Sequence, residues 1–425
     1  MAADNLNTVT LVVNGAAFGG FKRVRIETGI ERQARSFDMT VTDSWPGSTG
    51  LQRRVAPGDA CQIYIGGDRV ATGYIDATPI RYDGASYSVN VRGRSKTADL
   101  VDCCPVQGTK GGSGGAVGNR WQRLGVQGVS GNANAAAPAA RAVQANSTGG
   151  SGGQWRGAKL EQIAADMAAE YNISVVAEVD TGATLVHQVQ QGDTVFESID
   201  RMLRLRHCLA TDNALGELVL IVAGSGGKAV TALVLGKNIR ASDTALDFSK
   251  VFSEYVAKGQ KSVTSQDSEE SDSGEDIDTL VTTSFAASAS ATDSRVSRRR
   301  LLVIKQSGHA DEGTLADRVR YERAHRAAKA LETTYTVDGW RQENGALWVQ
   351  NQSVRVVDAL IGFDTDMLIA EVIYTLDEQG QRAELKVGPL DGYVSAAQKK
   401  AAKSGAGKGV KNRYSSNGLG LDGAD

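Results

Sequence analysis

Proline is scarce in this chain. Only 6 of its 425 residues are proline, well below the usual share of about 5%. This scarcity excludes collagen-like and polyproline architectures. Four cysteines in so long a chain do not make a disulfide framework, and they indicate a reducing compartment. No run approaches the roughly 18 apolar residues that a membrane helix needs, and the N-terminus lacks the basic region of a signal peptide. A net charge of −2 gives no reason to expect nucleic-acid or anionic-membrane binding.

Glycine, by contrast, is abundant, at 49 residues against a usual share of about 7%. We therefore expect many tight turns and close approaches of the backbone. Apolar residues make up 41% of the sequence, which is enough to build real hydrophobic cores. The length itself predicts roughly two to four domains.

Residues 1–104 alternate apolar and polar side chains with a period of two, which predicts antiparallel β structure. Turns at residues 66–68 (Gly-Gly-Asp) and 83–84 (Asp-Gly) carry the residue types that tolerate positive φ in hairpins. The stretch SKTADLVD then predicts a short helix or turn, with Ser95 or Thr97 as its N-cap. We predict one compact β domain that closes here.

Residues 105–154 are rich in glycine, alanine, serine and asparagine, and they hold too little large apolar surface for a core. This composition predicts a linker or an extended arm. Residues 155–262 predict a mixed domain with two helices. The first helix has an apolar face over residues 160–171, and the second begins with a capping box formed by Thr194 and Glu197.

Residues 263–300 begin with an acidic, polar run and continue with mostly alanine and serine. This composition predicts a loop. Residues 301–394 predict an apolar strand, a helix from Leu315 to Glu332 and a closing group of strands. Residues 395–425 are polar and rich in lysine, which predicts a tail arm. The expected fold class is therefore α+β, predominantly antiparallel β, in several domains.

No catalytic or metal-binding pattern stands out among the cysteines and histidines. Cys103 and Cys104 are adjacent, which strains a disulfide, and no second pair with C-x-x-C spacing completes a zinc site. We interpret them as small buried or turn residues. The histidines have none of the spacings of zinc enzymes. They are His187, His207, His309 and His325.

Four glycine-rich or acidic stretches match site patterns only superficially. Residues 111–115 and 149–153 fit G-x-S-x-G, but they lack the strand and helix that flank a nucleophile elbow. GSGGKAV, residues 224–230, lacks the first glycine of a phosphate loop and the hydroxyl residue after Lys228. The acidic run 265–278 is not a calcium loop, because each of two registers tried misplaces a key residue.

Two further clusters have ordinary explanations. Asp358, Asp364 and Asp366 lie in a predicted turn, where aspartate is common, although sequence alone leaves a carboxylate pair for glycoside hydrolysis open. Arg298–Arg300 and the C-terminal lysines have no interleaved aromatic residues, so they fit acidic protein surfaces as well as nucleic acid. We predict no catalytic residue, no metal and no cofactor.

Several stretches, taken in order, carry a resemblance to a known family. They are VTLVVNG with FKRVRIETGIERQARSFDMTVTD, PGDACQIYIGGDRVATGYID, VRGRSKTADLVDCC, WRGAKLEQIAADMAAEYNI, QGDTVFESIDRMLRLR with LATDN, and GALWVQNQSVRVVDALIGFDTDMLIAEVIYTLDEQGQRAELKVGPLDGY. Their order and spacing resemble the baseplate hub proteins of contractile-tailed bacteriophages, a Mu-like tail hub family related to the late control D proteins. The resemblance covers most of the chain outside residues 105–154 and 263–300.

The resemblance implies a late structural protein of the virion, not an enzyme, assembled in the host cytoplasm. Each subunit of a homotrimer would carry two tube-like β-barrel domains, so that three chains form a pseudo-sixfold ring. The ring would join a sixfold tail tube to a threefold central spike, around a channel for the tape measure protein and for DNA as ejected cargo. Other expected partners are the tube initiator and the baseplate wedge proteins. VRGRSKTADLVDCC would be a domain-closing turn.

Two alternatives stay open. GDTVFESIDRMLRLR has a faint resemblance to the start of a LysM-type repeat, which would make the chain a peptidoglycan-binding or wall-degrading tail module. A hub of a related contractile injection or secretion machine would show the same pattern. Binding to peptidoglycan separates the first alternative from a structural hub, and the neighbouring genes separate the second.

Overall fold

The structure is a computed structural model, and it describes residues 5–41, 55–82, 87–105, 141–143, 153–182, 185–206, 208–262, 284–309 and 312–393. The strands are β1 (Val9–Val13), β2 (Ala16–Phe18), β3 (Arg23–Gly29), β4 (Ser36–Val41), β5 (Ala60–Ile65), β6 (Asp68–Ala77), β7 (Ile80–Tyr82), β8 (Tyr87–Ser95), β9 (Arg141–Val143), β10 (Gln154–Ala158), β11 (Val175–Ala177), β12 (Leu185–Gln188), β13 (Leu209–Asp212), β14 (Leu218–Ile221), β15 (Leu233–Val234), β16 (Ile239–Thr244), β17 (Glu254–Ser262), β18 (Ser284–Thr292), β19 (Leu301–His309), β20 (Thr333–Asp338), β21 (Ser353–Asp358), β22 (Phe363–Asp377) and β23 (Gly380–Gly388). The α-helices are α1 (Ala98–Asp102), α2 (Leu160–Ala169), α3 (Val195–Arg206) and α4 (Glu312–Lys329).

The described residues belong to two units. The large unit takes them from 1–243 and 333–387, and the small unit takes them from 244–332 and 388–393. The predicted arms at 105–154 and 395–425 lie mostly or wholly outside the described residues. None of the helices in the described ranges is long and apolar enough to cross a membrane.

A 14-stranded, mostly antiparallel sheet dominates the large unit. Its main path runs β16-β20-β23-β22-β3-β4-β8-β6-β5-β1-β2, with β7, β15 and β21 attached beside it. The path is open among the described strands, and no closed barrel is found there. The predicted hairpin of β5 and β6 is confirmed, with Ile65 opposite Asp68. The second predicted turn, at 83–84, lies outside the described residues.

The pairing of β3 with β22 brings the N-terminal and C-terminal strands into this one sheet. Val24 lies opposite Leu376 in antiparallel register. The Thr28 hydroxyl donates to the Val372 carbonyl at 3.3 Å across 344 residues of sequence. Alternation along β3 buries Val24 and Ile26 and leaves the intervening side chains on the other face.

The middle of the large unit combines α2 and α3 with the sheet β13-β14-β11-β9 and the pair β10-β12. Both predicted helices are confirmed, and their apolar stripes share one core with β11 and β14. The predicted capping box is confirmed as well. The Thr194 N–H donates to Glu197 Oε2 at 2.8 Å, and the Glu197 N–H donates to Thr194 Oγ1 at 3.2 Å.

The small unit is a sheet in the order β18-β17-β19, packed on α4. Leu315 and Val319 of α4 are fully buried with Tyr255 and Ala257 of β17. The helix predicted from Leu315 is confirmed and starts three residues earlier, at Glu312. The loop prediction was wrong for 284–292, because β18 pairs with β17 over its whole length. Its small residues carry little strand preference of their own, so the partner strand decides their conformation.

Candidate functional site

The segment from Ser95 to Cys104 joins the large sheet to the helical core of the large unit. Leu100 of α1 is fully buried in that core. The Cys103 carbonyl accepts from the Val195 N–H at 2.9 Å, and the Cys104 carbonyl accepts from the Tyr171 hydroxyl at 2.5 Å. Both cysteines are free thiols that act here through their carbonyl groups. This agrees with their interpretation as turn residues.

A buried ion pair between Arg35 and Asp212 lies beside this join. The Arg35 Nε donates to Asp212 Oδ1 at 3.0 Å, the Arg35 N–H donates to Oδ2 at 3.1 Å, and a third donor reaches the Val70 carbonyl at 2.8 Å. Burial raises the pKa of Asp212, and Arg35 opposes that rise. Ser95 Oγ accepts from the Arg35 N–H and bonds to Thr97 Oγ1, so Thr97 starts α1 without a capping bond.

The exposed face of the large sheet carries alternating positive and negative charges. Arg25 on β3 lies opposite Asp38 on β4, and Asp38 lies opposite Arg92 on β8. The Arg92 Nε donates to Asp38 Oδ2 at 2.8 Å. We call the whole set the charged face. Its members are Arg25, Glu27, Arg32, Asp38, Asp76, Arg92, Arg94, Asp102 and Glu371.

Arg94 bridges two carboxylates of the charged face. Its Nε lies 2.8 Å from Asp76 Oδ2, and its Nη2 lies 2.7 Å from Asp102 Oδ2. The hydrogen bond from Arg94 holds the pKa of Asp102 below its ordinary value. A guanidinium held by two carboxylates is electrostatically satisfied within its own chain.

Arg32 forms a second bridge, between β3 and β22. It lies 2.8 Å from Glu27 Oε2 and 2.7 Å from Glu371 Oε1. Burial acts to raise the pKa of Glu27, but the contacts with Arg25 and Arg32 outweigh it and leave that pKa below its ordinary value. These ion pairs therefore reinforce the strand pairing that joins the two ends of the chain.

The charges of the charged face are paired with one another. Part of this face lines an open depression of 310 Å³. Its four arginines and five carboxylates sum to a net charge of −1, and each of these four arginines has a carboxylate partner. Arg23, exposed on the same face of β3, is not part of this set. Such a surface offers a polyanion little, because affinity for phosphates comes from cations free to neutralise them.

The predicted turn lies at 359–362, because Asp358 ends β21 and both Asp364 and Asp366 lie in β22. Each of these aspartates makes a local contact of its own. Asp358 is buried and accepts from the Tyr335 hydroxyl at 3.0 Å. Asp364 pairs with a neighbouring arginine, and Asp366 lies 2.8 Å from the Lys228 ammonium group. The lysine of the glycine-rich stretch is thus held by a carboxylate. This agrees with rejecting a phosphate loop there.

His187 and Ser198, which no sequence pattern connects, are in contact in the structure. The His187 Nε2 lies 2.8 Å from the Ser198 Oγ. Ser198 is 0% exposed and His187 is 8% exposed, so no substrate reaches this pair. Burial lowers the pKa of His187, and Arg201 adds to that effect. Strand and helix pack the pair together, and nothing in the sequence spacing indicated it.

The remaining candidates give no reactive centre in the described residues. Burial raises the pKa of the Cys61 thiol to about 12 and that of Cys208 to about 11, which keeps both protonated. His325 contacts the Gly392 carbonyl at 2.6 Å. No group of three or more His, Cys, Asp or Glu residues among those described could hold a metal ion. Outside them lie His207, 111–115, 149–152, 265–278 and the lysine-rich tail.

In the basic cluster Arg298–Arg300, one arginine packs against the protein and two are exposed to solvent. Arg300 stacks over the Phe252 ring, with 4.9 Å from guanidinium carbon to ring centroid, and donates to the Phe248 carbonyl at 3.3 Å. Arg298 and Arg299 are exposed. Two exposed arginines without an aromatic platform do not form a nucleic-acid groove.

Three family models match this chain along its length. The N-terminal model of Mu phage baseplate assembly protein GpP-like matches residues 8–95. The second-domain model of baseplate hub protein gp44-like matches residues 145–222. The fourth-domain model of Mu phage baseplate assembly protein GpP matches residues 313–396.

Whole-chain similarities agree with these matches. Baseplate hub protein gp44 of Escherichia phage Mu is 31% identical over 398 residues, which are 91% of this chain and 89% of that protein. The 43 kDa tail protein of prophage MuSo2 from Shewanella oneidensis has a TM-score of 0.71 at 26% identity, covering 91% of this chain and 99% of that one. A tail protein from Neisseria meningitidis MC58 shares the fold, with a TM-score of 0.66 at 18% identity, covering 91% of this chain and 98% of that one. The chain therefore belongs to the family of Mu-like phage baseplate hub proteins.

Proposed function

We propose that this protein is the structural hub of a contractile phage baseplate and forms a trimeric ring between the sixfold tail tube and the threefold central spike. The observation that carries the proposal is the 31% identity to the Mu baseplate hub protein over 91% of this chain. The ring would surround the channel through which the tape measure protein and then DNA pass. We assign no catalytic residue, metal or cofactor.

The pairing of β3 with β22 supports the ring. It sets the N-terminal strands and the C-terminal strands side by side in one chain. Three chains would then supply six such strand groups, which is the number that a sixfold tube requires. In the complete ring we expect each group to act as a tube-like barrel domain.

The charged face supports a passage function. Its arginines are held by carboxylates of the same chain, and its net charge is −1. A channel wall of this kind lets a polyanion pass without holding it. Free cations along the wall would instead slow DNA transit by counterion release.

We propose the following division of labour along the chain. Residues 1–104 and 301–394 supply the tube-like domains, and 155–262 supply the mixed domain between them. Residues 105–154, 263–300 and 395–425 would reach neighbouring proteins, and the β18 strand within the second of these would also contact neighbours. The partners would be the spike, the tube or its initiator, the wedge proteins and the tape measure protein, in a virion assembled in host cytoplasm.

The purified full-length chain tests this proposal. Light scattering after gel filtration should give three times the monomer mass of 44.8 kDa, and microscopy should show a hollow threefold ring. A stable monomer without affinity for co-expressed spike or tube proteins would contradict the hub. Retention on peptidoglycan, with clearing of a wall suspension, would favour the wall-degrading module instead. Neighbouring genes that encode a contractile sheath together with secreted effectors would favour the hub of an injection machine.

A further inference from the structure

The two strands that end the main path of the large sheet are both protected against strand addition. The path ends at β2 on one side and at β16 on the other. The β2 strand has only three residues. The β16 strand carries Arg240 and Asp243, both exposed. Short length and charge are two ways in which proteins prevent a further strand from adding to an edge.

The sheet of the small unit leaves more of its edges unprotected, namely all of β18 and residues 301–304 of β19, which precede Lys305 and a β-bulge. The two outer strands, β18 and β19, have nine residues each. The β18 sequence SFAASASAT contains no charged residue and no proline, and β19 begins with four consecutive apolar residues. Among the described residues each pairs only with β17, so each leaves one side of its backbone open. Long bare edges in a soluble protein are sites for strand addition.

The side chains along these edges are complementary in size. On the face away from α4, Leu301 and Val303 of β19 are 44% and 51% exposed. On the same face of β18 the exposed residues are small, namely Ser288, Ser290 and Thr292. A strand with large apolar side chains packs well beside one with small side chains, because the layer fills without a clash.

We propose that the outer edge of β19 in one copy of this chain pairs with the outer edge of β18 in the next copy. The inference rests on the proposed trimer and assigns a strand contact within it. Strand directions permit it, because β19 is parallel and β18 antiparallel to the β17 strand between them. A head-to-tail repeat of the sheet therefore makes an antiparallel junction, and the same two edges serve every copy.

Symmetry also predicts the register. Within one chain, Leu301 and Thr292 lie level with each other across Glu254, and Val303 and Ser290 lie level across Val256. Rotation about a threefold axis that runs along the strands keeps these rows level, whereas strands tilted to the axis would pair with a stagger. Leu301 then faces Thr292 of the next copy, and Val303 faces Ser290.

A pair of cysteines tests this contact in the assembled protein. The starting variant is Cys103→Ser, Cys104→Ser, which removes the thiols at the end of α1 while the other two native cysteines stay buried. Val303→Cys with Ser290→Cys is added to it, and the protein is oxidised and run on a denaturing gel without reductant. The Cα atoms of directly opposed residues in an antiparallel pair lie about 4.5–5.5 Å apart, and this distance falls within the range found in disulfides.

We expect covalent dimers and trimers from the double variant and none from Val303→Cys or Ser290→Cys alone. Within one chain the two positions lie two strand spacings apart, about 9.6 Å, which is beyond the roughly 7 Å limit for a disulfide. Cross-links must therefore join different copies. The matched control combines Val303→Cys with Ala289→Cys, whose side chain lies on the α4 side, and it should stay uncross-linked. Cross-linking of Val303→Cys to Ser288→Cys or Thr292→Cys in place of Ser290→Cys would shift the register by two and still support the edge contact.

Mass measurement of the same samples separates the two proposals. A trimer by mass that gives no cross-link at any of the three β18 positions overturns the strand contact and leaves the hub intact. A monomer overturns both. If the cysteine variants fail to fold, hydrogen exchange of the unmodified protein decides. At concentrations where the trimer forms, the amides of β18 and β19 should be protected from exchange. On dilution to monomer they should exchange at least tenfold faster. Equal exchange in both states would overturn the contact.

Discussion

The two units of this protein differ in how much of their stability they carry themselves. In the large unit, the helical core alone buries 19 apolar residues, including the bulky side chains of α2 and α3. The core cluster that β17, β18 and α4 share in the small unit has five among the described residues, and two of them are alanines. Burial of apolar area is the main stabilising term in folding. The large unit is therefore built to fold from its own contacts.

The small unit, with its thin core and bare sheet edges, gains most from a neighbour. In the proposed trimer, the large unit would be a scaffold and the small unit would be completed by assembly. Tryptophan makes the two units separable in experiment. The three tryptophans in the described ranges, Trp155, Trp340 and Trp348, all belong to the large unit, so their fluorescence reports its unfolding.

Removing the buried carboxylate at Asp212 should have the largest effect. Asp212→Ala leaves the Arg35 guanidinium buried without its counter-charge, so the free energy of unfolding should fall by about 3–5 kcal/mol. Urea titration followed by tryptophan fluorescence measures this change. The control, Asp38→Ala, breaks the exposed pair with Arg92 and should cost about 0–1 kcal/mol. Equal losses would show that the join beside α1 does not stabilise the large unit.

Weakening the core of the small unit should leave the large unit unaffected. Leu315→Ala truncates a fully buried side chain of that cluster, at a cost of about 2–5 kcal/mol. Faster hydrogen exchange should be confined to β17, β18 and β19, with an unchanged tryptophan transition. The control is Leu360→Ala at a side chain that is 85% exposed, where we expect less than about 0.5 kcal/mol. A tryptophan transition that moves with Leu315→Ala would contradict independent units.

A smaller effect is expected at the start of α3. Thr194→Ala removes the acceptor for the Glu197 N–H and should destabilise the large unit by about 1 kcal/mol. Thr194→Ser keeps the hydroxyl and should retain most of that stability. The tryptophan transition in urea distinguishes the two variants. If they lose the same amount, the capping box contributes nothing through its hydroxyl.

The smallest expected effect is a pH dependence of the large unit. The pKa of His187 in the folded chain lies below its ordinary value of 6.5, because burial and Arg201 disfavour the imidazolium, although Asp193 opposes them. The unfolded chain therefore binds this proton more readily, and stability should fall as pH drops below about 6.5 towards the lowered pKa. Urea midpoints at about pH 7.5 and about pH 5.5 should differ less in His187→Gln than in the parent. An unchanged difference would assign the pH dependence to other groups.

Local patterns predicted local structure well. The β5–β6 hairpin and the Thr194–Glu197 box follow from turn and capping chemistry within a few residues, and both were confirmed. The β18 strand was missed because its small residues have no periodicity to detect, and its conformation depends on β17.

Contacts over long sequence distances were not predictable. The β3–β22 junction and the Arg35–Asp212 pair join residues that are 344 and 177 positions apart. Each partner has many chemically equivalent competitors along the chain, so spacing gives no means of choosing among them. The charged face was missed for the same reason. Its arginines and carboxylates come from strands whose order in the sheet is not their order in the sequence.

The junction of β3 with β22 also has a consequence for synthesis on the ribosome. The β3 strand emerges early, but the strand that covers its edge is translated 344 residues later, as measured from Thr28 to Val372. At about 5–20 residues per second, that edge stays open for tens of seconds. A nascent hub chain therefore carries an incomplete sheet through most of its translation, and a chain that stops before β22 could not complete it.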